Sequence, residues 1–150
     1  MPFDEISFVN DFRQQPAVQV PTDDAPIQGL KGDNPPLRIV EFADFQCPAC
    51  RSYYPLLLEV FEAYRDRISF VYRHFPLKQI HFNAEPAAWA SEAASRQGKF
   101  WEMHNLLFEK QNEWSTPTDL KKTFGDYAEL LGLDKQKFLT DLDSKEVTSS

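Results

Sequence analysis

The sequence predicts an α/β fold, a strand–helix–strand unit followed by a half made of helices. Three observations carry this expectation. Two apolar runs, over 38–45 and 68–73, have the length and the β-branched and aromatic content of strands. Between them Leu56, Leu57, Val60, Phe61 and Tyr64 recur at helical spacing. Beyond residue 76 the apolar stripes are helical in period, and nothing after Trp114 reads as strand.

Six of the eleven prolines fall in the first 36 residues and, with Gly29 and Gly32, predict an extended lead-in over 1–36. A short strand is expected around Val18 to Val20. The first main strand, Arg38 to Phe45, is almost continuously apolar, as in a strand covered on both faces. Alternation places Glu41 on the face of Ile39, Ala43 and Phe45, an odd position for a carboxylate. A helix opens at Cys47 with Pro48 in its first turn, where a missing N–H costs nothing. Pro55 lies inside that helix and is expected to kink it. The second strand, Ile68 to Arg73, completes a unit over 37–75 whose two strands should be parallel.

The remaining stretch, 76–150, reads as helices over 81–97 and 100–112, then one capped by Thr116 with Pro117 as its first residue, and a last one capped by Asp134. Gly98 and Gly132 supply stops.

A chain of 150 residues can bury a core without disulfide staples. With 23 acidic against 16 basic residues the net charge is -7, which disfavours nucleic acid and anionic membrane as partners. No apolar run is long enough to span a bilayer. "MPFDEISFVNDFRQQP" carries three acids and no apolar core, so it is not expected to be a signal peptide.

The only two cysteines stand as Cys47-Pro48-Ala49-Cys50 at the strand–helix junction. Free N–H groups and the dipole of a first helical turn favour a thiolate there. Cys47, at the cap, feels that field most and is the candidate attacking or attacked sulfur. Cys50, one turn inward, is the more covered candidate resolving thiol. Pro48 removes one donor and Ala49 adds no charge, so the helix field and nearby side chains tune the redox poise. A zinc site would need two further ligands, and His74, His81 and His104 stand at no familiar ligand spacing. An inert buried pair is the other alternative. Glu41 has two readings: a buried acid moving protons for Cys50, or a carboxylate paired with Arg38 or Arg51. Asp44 is expected to be a solvated loop residue, and His74 and His81 to satisfy local backbone groups.

In "VEFADFQCPAC", "FVYRHFPL" and "HFNAEPAAWASEAASRQGKFWEMHNLLFEKQNEW", taken in order, the chain resembles the DsbA-like branch of the thioredoxin superfamily. The resemblance runs from about Leu37 to at least Trp114 and implies a thioredoxin-like βαβ unit with a helical insertion capping the active site. It implies a thiol:disulfide oxidoreductase, with Cys47 the exposed nucleophile, Cys50 its resolving partner and Glu41 the buried acid. It further implies cysteine-containing protein substrates, a membrane quinone-linked redox partner, an extracytoplasmic setting, and no cofactor or metal. The family continues with a cis-proline loop, two strands and a helix. Here the sequence ends at "SKEVTSS" without a counterpart, and Thr116-Pro117, although similar to the Thr-Pro of that loop, opens a helix. An uncovered strand edge is then expected, with dimerisation or domain swapping as its consequence. Some DsbA-like domains are appended to such quinone-linked membrane proteins, and the proline-rich lead-in would then be a linker from one. The rival readings are a non-catalytic binding or accessory domain and an inactive fragment.

Overall fold

A computed structural model describes residues 16, 19–32 and 35–149. Three strands form one sheet in the order β1-β3-β2: β1 (Ile27–Gly29), β2 (Leu37–Ala43) and β3 (Ile68–His74). As expected of a βαβ unit, β2 and β3 are parallel, with Leu37 opposite Ile68 and Ala43 opposite His74. The connecting helix is α1 (Pro48–Tyr64).

The sheet departs from the sequence reading in three ways. The central, fully covered strand is β3, buried from Ile68 through Tyr72, whereas β2 is half-buried with Leu37 and Phe42 about half exposed. The apolar run of β2 therefore does not mark a strand covered on both faces. Its ladder stops at Ala43 because the chain turns there, the Cys47 amide donating to the Asp44 carbonyl at 3.1 Å. An unexpected strand, β1, comes from the proline-rich lead-in and runs antiparallel to β3. Gly29 makes this pairing possible: at φ 78° a Cβ would sit 2.5 Å from the Ile68 carbonyl oxygen. Of the strand expected near 18–20, Val18 lies outside the described residues, and Gln19 and Val20 belong to no strand.

Pro55 lies within α1 without ending it. The buried stripe of α1 is Tyr54 and Phe61 with Leu57 and Leu58 between them, while Leu56 and Tyr64 face solvent. After β3 come α2 (Ala84–Ser95), α3 (Phe100–Glu109), α4 (Gln111–Trp114), α5 (Leu120–Leu130), α6 (Lys135–Leu142) and α7 (Lys145–Thr148). The alanines of α2, with side chains too small to hold neighbours apart, are almost wholly buried against the helices around them. The expected helix over 100–112 breaks at Lys110 into α3 and α4. The cap of α5 is Asp119, not Thr116; its carboxylate accepts from the Lys122 amide at 3.0 Å, so Pro117 lies outside the helix. Asp134 caps α6 as expected, accepting from the Lys137 amide at 2.9 Å.

One apolar core runs through both halves of the molecule. Ala43, Phe45, Tyr54 and Tyr72 pack with Phe100, Met103, Leu107, Phe108 and Trp114. The helical segment is thereby held over the junction at which β2 delivers the cysteine pair.

Candidate active site

The junction is built by one short loop with an unusual number of polar anchors. Asp44, 3% exposed, accepts from the Gln46 amide at 2.7 Å and the Leu77 amide at 2.8 Å, and its Oδ2 lies 2.7 Å from His81 Nδ1. It ties the loop after β2 to the loop after β3, and it is not the solvated residue that its position suggests. The Gln46 side chain donates to the Ser115 carbonyl at 2.9 Å and accepts from the Asn83 amide at 2.7 Å. From α4, Gln111 Nε2 donates to the carbonyls of Phe45 at 2.7 Å and Cys47 at 3.0 Å. The Phe45 carbonyl is buried, so a donor must meet it, and the Cys47 carbonyl also accepts from the Arg51 amide at 3.1 Å.

Cys47 is the cap residue of α1, with φ -70° and ψ 121°, and its side chain makes no capping hydrogen bond. The thiol is therefore left for chemistry at the point where the amides of the first turn converge. Pro48 takes the first helical position, and Pro48 and Ala49 are exposed beside it. Both cysteines are free thiols and partly covered. Cys50 packs against the core, and burial, first of all, pushes its thiol up to about 11. The Asp44 backbone opposes that rise, while the hydrogen bond and charge of Cys47 and the charge of Glu41 add to it. Cys47 and Glu41 are thus each brought into electrostatic reach of Cys50.

Glu41 stands opposite Tyr72 in the ladder, and burial raises its carboxyl from 4.5 to about 7. The alternative of a pairing with Arg38 or Arg51 meets a geometric objection. Arg38 donates to Thr22 Oγ1 at 3.0 Å and the Gly32 carbonyl at 2.7 Å, and Arg51 to Asn112 Oδ1 at 2.7 Å. The histidines also differ from expectation. His74 Nε2 lies 2.9 Å from Glu92 Oε1, and His81 meets Asp44, so both face carboxylates rather than local backbone. Among the described residues no group of three or more His, Cys, Asp or Glu side chains gathers as metal ligands.

A groove of about 490 Å³ opens next to Cys47, lined by Pro48, Arg51, Ser52, His81, Gln111 and Asn112 among others. Phe75, Ile80 and Phe82 stand exposed on the loop between β3 and α2. Sequence reasoning missed Asp44, Gln46 and Gln111. Gln111 had a signal: it continues the stripe of Phe100, Met103, Leu107 and Trp114 as its one polar member. Asp44 had only its short turn onto the Gln46 amide, and Gln46 had none, because their other side-chain partners lie more than 30 residues away.

A family model described as "Thioredoxin" matches residues 32–149. The chain is 45% identical over 103 residues to the Na(+)/H(+) antiporter NhaA 3 of Salinispora tropica, which is 69% of this chain and 15% of that protein. A similar match, 43% identical over 109 residues, joins 71% of this chain to 16% of the Na(+)/H(+) antiporter NhaA 1 of Mycolicibacterium vanbaalenii. The chain thus spans about a sixth of the length of these curated relatives. Among solved structures, a thioredoxin-like oxidoreductase from Silicibacter pomeroyi is 28% identical with a TM-score of 0.65, over 85% of this chain and 68% of that one. Alpha-DsbA1 of Wolbachia pipientis superposes with a TM-score of 0.72 at 20% identity, over 87% of this chain and 65% of that one. The chain belongs to the thioredoxin family, with a DsbA-like fold.

Proposed function

We propose that the chain is a thiol:disulfide exchange domain acting on cysteines of polypeptide substrates, and that its working pair is Cys47 and Cys50. One observation carries the reading: the partly exposed Cys47 is the cap residue of α1, the Cys50 thiol, packed on the core, stands one turn behind it, and an unpaired, half-buried carboxyl lies within reach of the second.

In the oxidising direction a substrate thiolate attacks Cys47 Sγ of the Cys47–Cys50 disulfide. The S–S bond breaks, its electron pair goes to Cys50 Sγ, and the Glu41 carboxyl supplies the proton that the covered sulfur needs. A second substrate thiolate then attacks the substrate sulfur of the mixed disulfide and expels Cys47 as thiolate. The substrate is oxidised by two electrons and the cysteine pair is reduced. In the reverse direction Cys50 gives its proton to Glu41 as it attacks Cys47. The groove beside Cys47 and the exposed Phe75, Ile80 and Phe82 suit an unfolded chain with apolar side chains. Oxidase or isomerase work on secreted proteins, outside the cytoplasm and recharged by a quinone-linked membrane partner, is the fuller form of this proposal.

The antiporter relatives favour a second reading, in which the domain is a module of a larger membrane protein and senses or holds a partner there. Among the described residues no helix is long and apolar enough to cross a membrane, so such a module would lie beside the membrane part. Cys47→Ser separates the two readings. Loss of all exchange with a reduced peptide, together with trapping of a mixed disulfide by Cys50→Ser, supports the enzyme. Unchanged partner capture by Cys47→Ser, with no exchange by the wild type, supports the module.

A further inference from the structure

Between the sheet, α1 and α3 lies a small space of about 10 Å³, room for a single water, lined by Glu41, Tyr54, Leu57, Phe70, His104 and Gln28 among others. His104, from α3, is 4% exposed. Its Nδ1 lies 2.9 Å from Asn105 Oδ1, and its Nε2 has no protein partner although it is buried. A carboxamide oxygen only accepts, so Nδ1 carries the ring proton and Nε2 presents a lone pair. Two side chains with an unpartnered polar group, the half-buried Glu41 carboxyl and the buried His104 with its free Nε2, therefore line one cavity of water size.

We infer that His104 is a positioning residue: its Nε2 orients one buried water against Glu41, and through that water the carboxyl can hold or release the proton it exchanges with Cys50. The water donates one hydrogen to Nε2. Its other hydrogen meets the Glu41 carboxylate, or its lone pair accepts from the protonated carboxyl. Both protonation states of Glu41 are then satisfied without any side chain moving. The inference rests on the proposed role of Glu41 as proton partner of Cys50.

The surroundings fit this arrangement. The titratable groups around Glu41 and His104 are Cys50 and Tyr54 from α1 and Tyr72 and His74 from β3; β1 contributes Gln28, which does not titrate. None of these is a cation held against Glu41. Burial keeps His104 neutral, its imidazolium form appearing only near 4, so the ring acts as an acceptor throughout the range in which Glu41 titrates. The competing account makes His104 an aromatic filler, edge-on to Tyr72 at 4.8 Å between ring centroids and to Phe108 at 5.1 Å. A phenylalanine would serve that purpose equally well.

The test is an infrared titration of the Glu41 carboxyl band in the reduced protein, assigned by its loss in Glu41→Gln. His104→Phe removes the acceptor and leaves the carboxyl drier, so its midpoint should rise by about one pH unit. His104→Gln, which can still offer an oxygen, should return it most of the way. An unmoved or lowered midpoint in His104→Phe, or equal shifts in both variants, would overturn the inference. Nitrogen NMR of wild-type His104 provides a check that needs no variant to fold. Protonation at Nδ1 with a hydrogen-bonded Nε2 is expected, and protonation at Nε2 refutes the arrangement. Both measurements report whether or not the cysteines exchange, so failure here is distinguishable from failure of the proposed function.

Discussion

Replacing Glu41 by glutamine should change stability in a way that depends on pH. Burial raises the carboxyl from 4.5 to about 7, so between those values the folded chain holds a proton that the unfolded chain has lost. Stability from this site is complete below about pH 4.5 and declines as pH rises through about 7. Each tenfold change in proton affinity corresponds to about 1.4 kcal/mol, which makes the whole effect about 3 kcal/mol. Water reaching the partly covered carboxyl trims it to roughly 2 kcal/mol. A carboxamide has no proton to lose, so Glu41→Gln should gain by that amount relative to wild type on going from about pH 4.5 to about pH 8.5. The assay is urea unfolding of the reduced proteins at several pH values, taking the difference between the two chains so that the other titrating groups cancel. A difference that stays constant with pH would refute the claim that Glu41 is a desolvated, unpaired acid.

Three further outcomes are expected. In Cys47→Ser the alkylation of Cys50 should show a midpoint below about 11 but above 9, because burial remains while the charge and hydrogen bond of Cys47 are lost; an ordinary midpoint would remove the covered-thiol argument. Gln111→Ala leaves the buried Phe45 carbonyl without its donor and the Cys47 carbonyl with only the Arg51 amide, and thermal or urea unfolding should report a loss of about 1–3 kcal/mol; a neutral result would mean that water reaches these groups. Gly29→Ala meets both a left-handed backbone and the Ile68 carbonyl, so a loss of at least about 2 kcal/mol is expected, with hydrogen exchange rising along β1 and β3; an unaffected ladder would show that β1 contributes little to the sheet.

Features that rest on near neighbours in the chain were legible before any fold was known. Pro48 after Cys47, the β-branched and aromatic run of β3 and the Asp134 cap are each specified within a few residues, and each stands where its local chemistry puts it. The same locality explains the errors. Thr116-Pro117 has the form of a helix start, yet Asp119 offers its carboxylate to the Lys122 amide and takes the cap. An apolar run reads alike on a central and an edge strand, so only the insertion of β3 between β1 and β2 decided which was covered. The candidate site was legible as a pair of sulfurs and a suspicious carboxylate; its supporting shell was not. Asp44, Gln46 and Gln111 act across 33 to 69 residues of chain. His104 lines the Glu41 cavity only because α3 packs against α1 and β3. Desolvation is a property of what surrounds a group, so the raised carboxyl of Glu41 and the raised thiol of Cys50 exist only once the helical segment closes over β2.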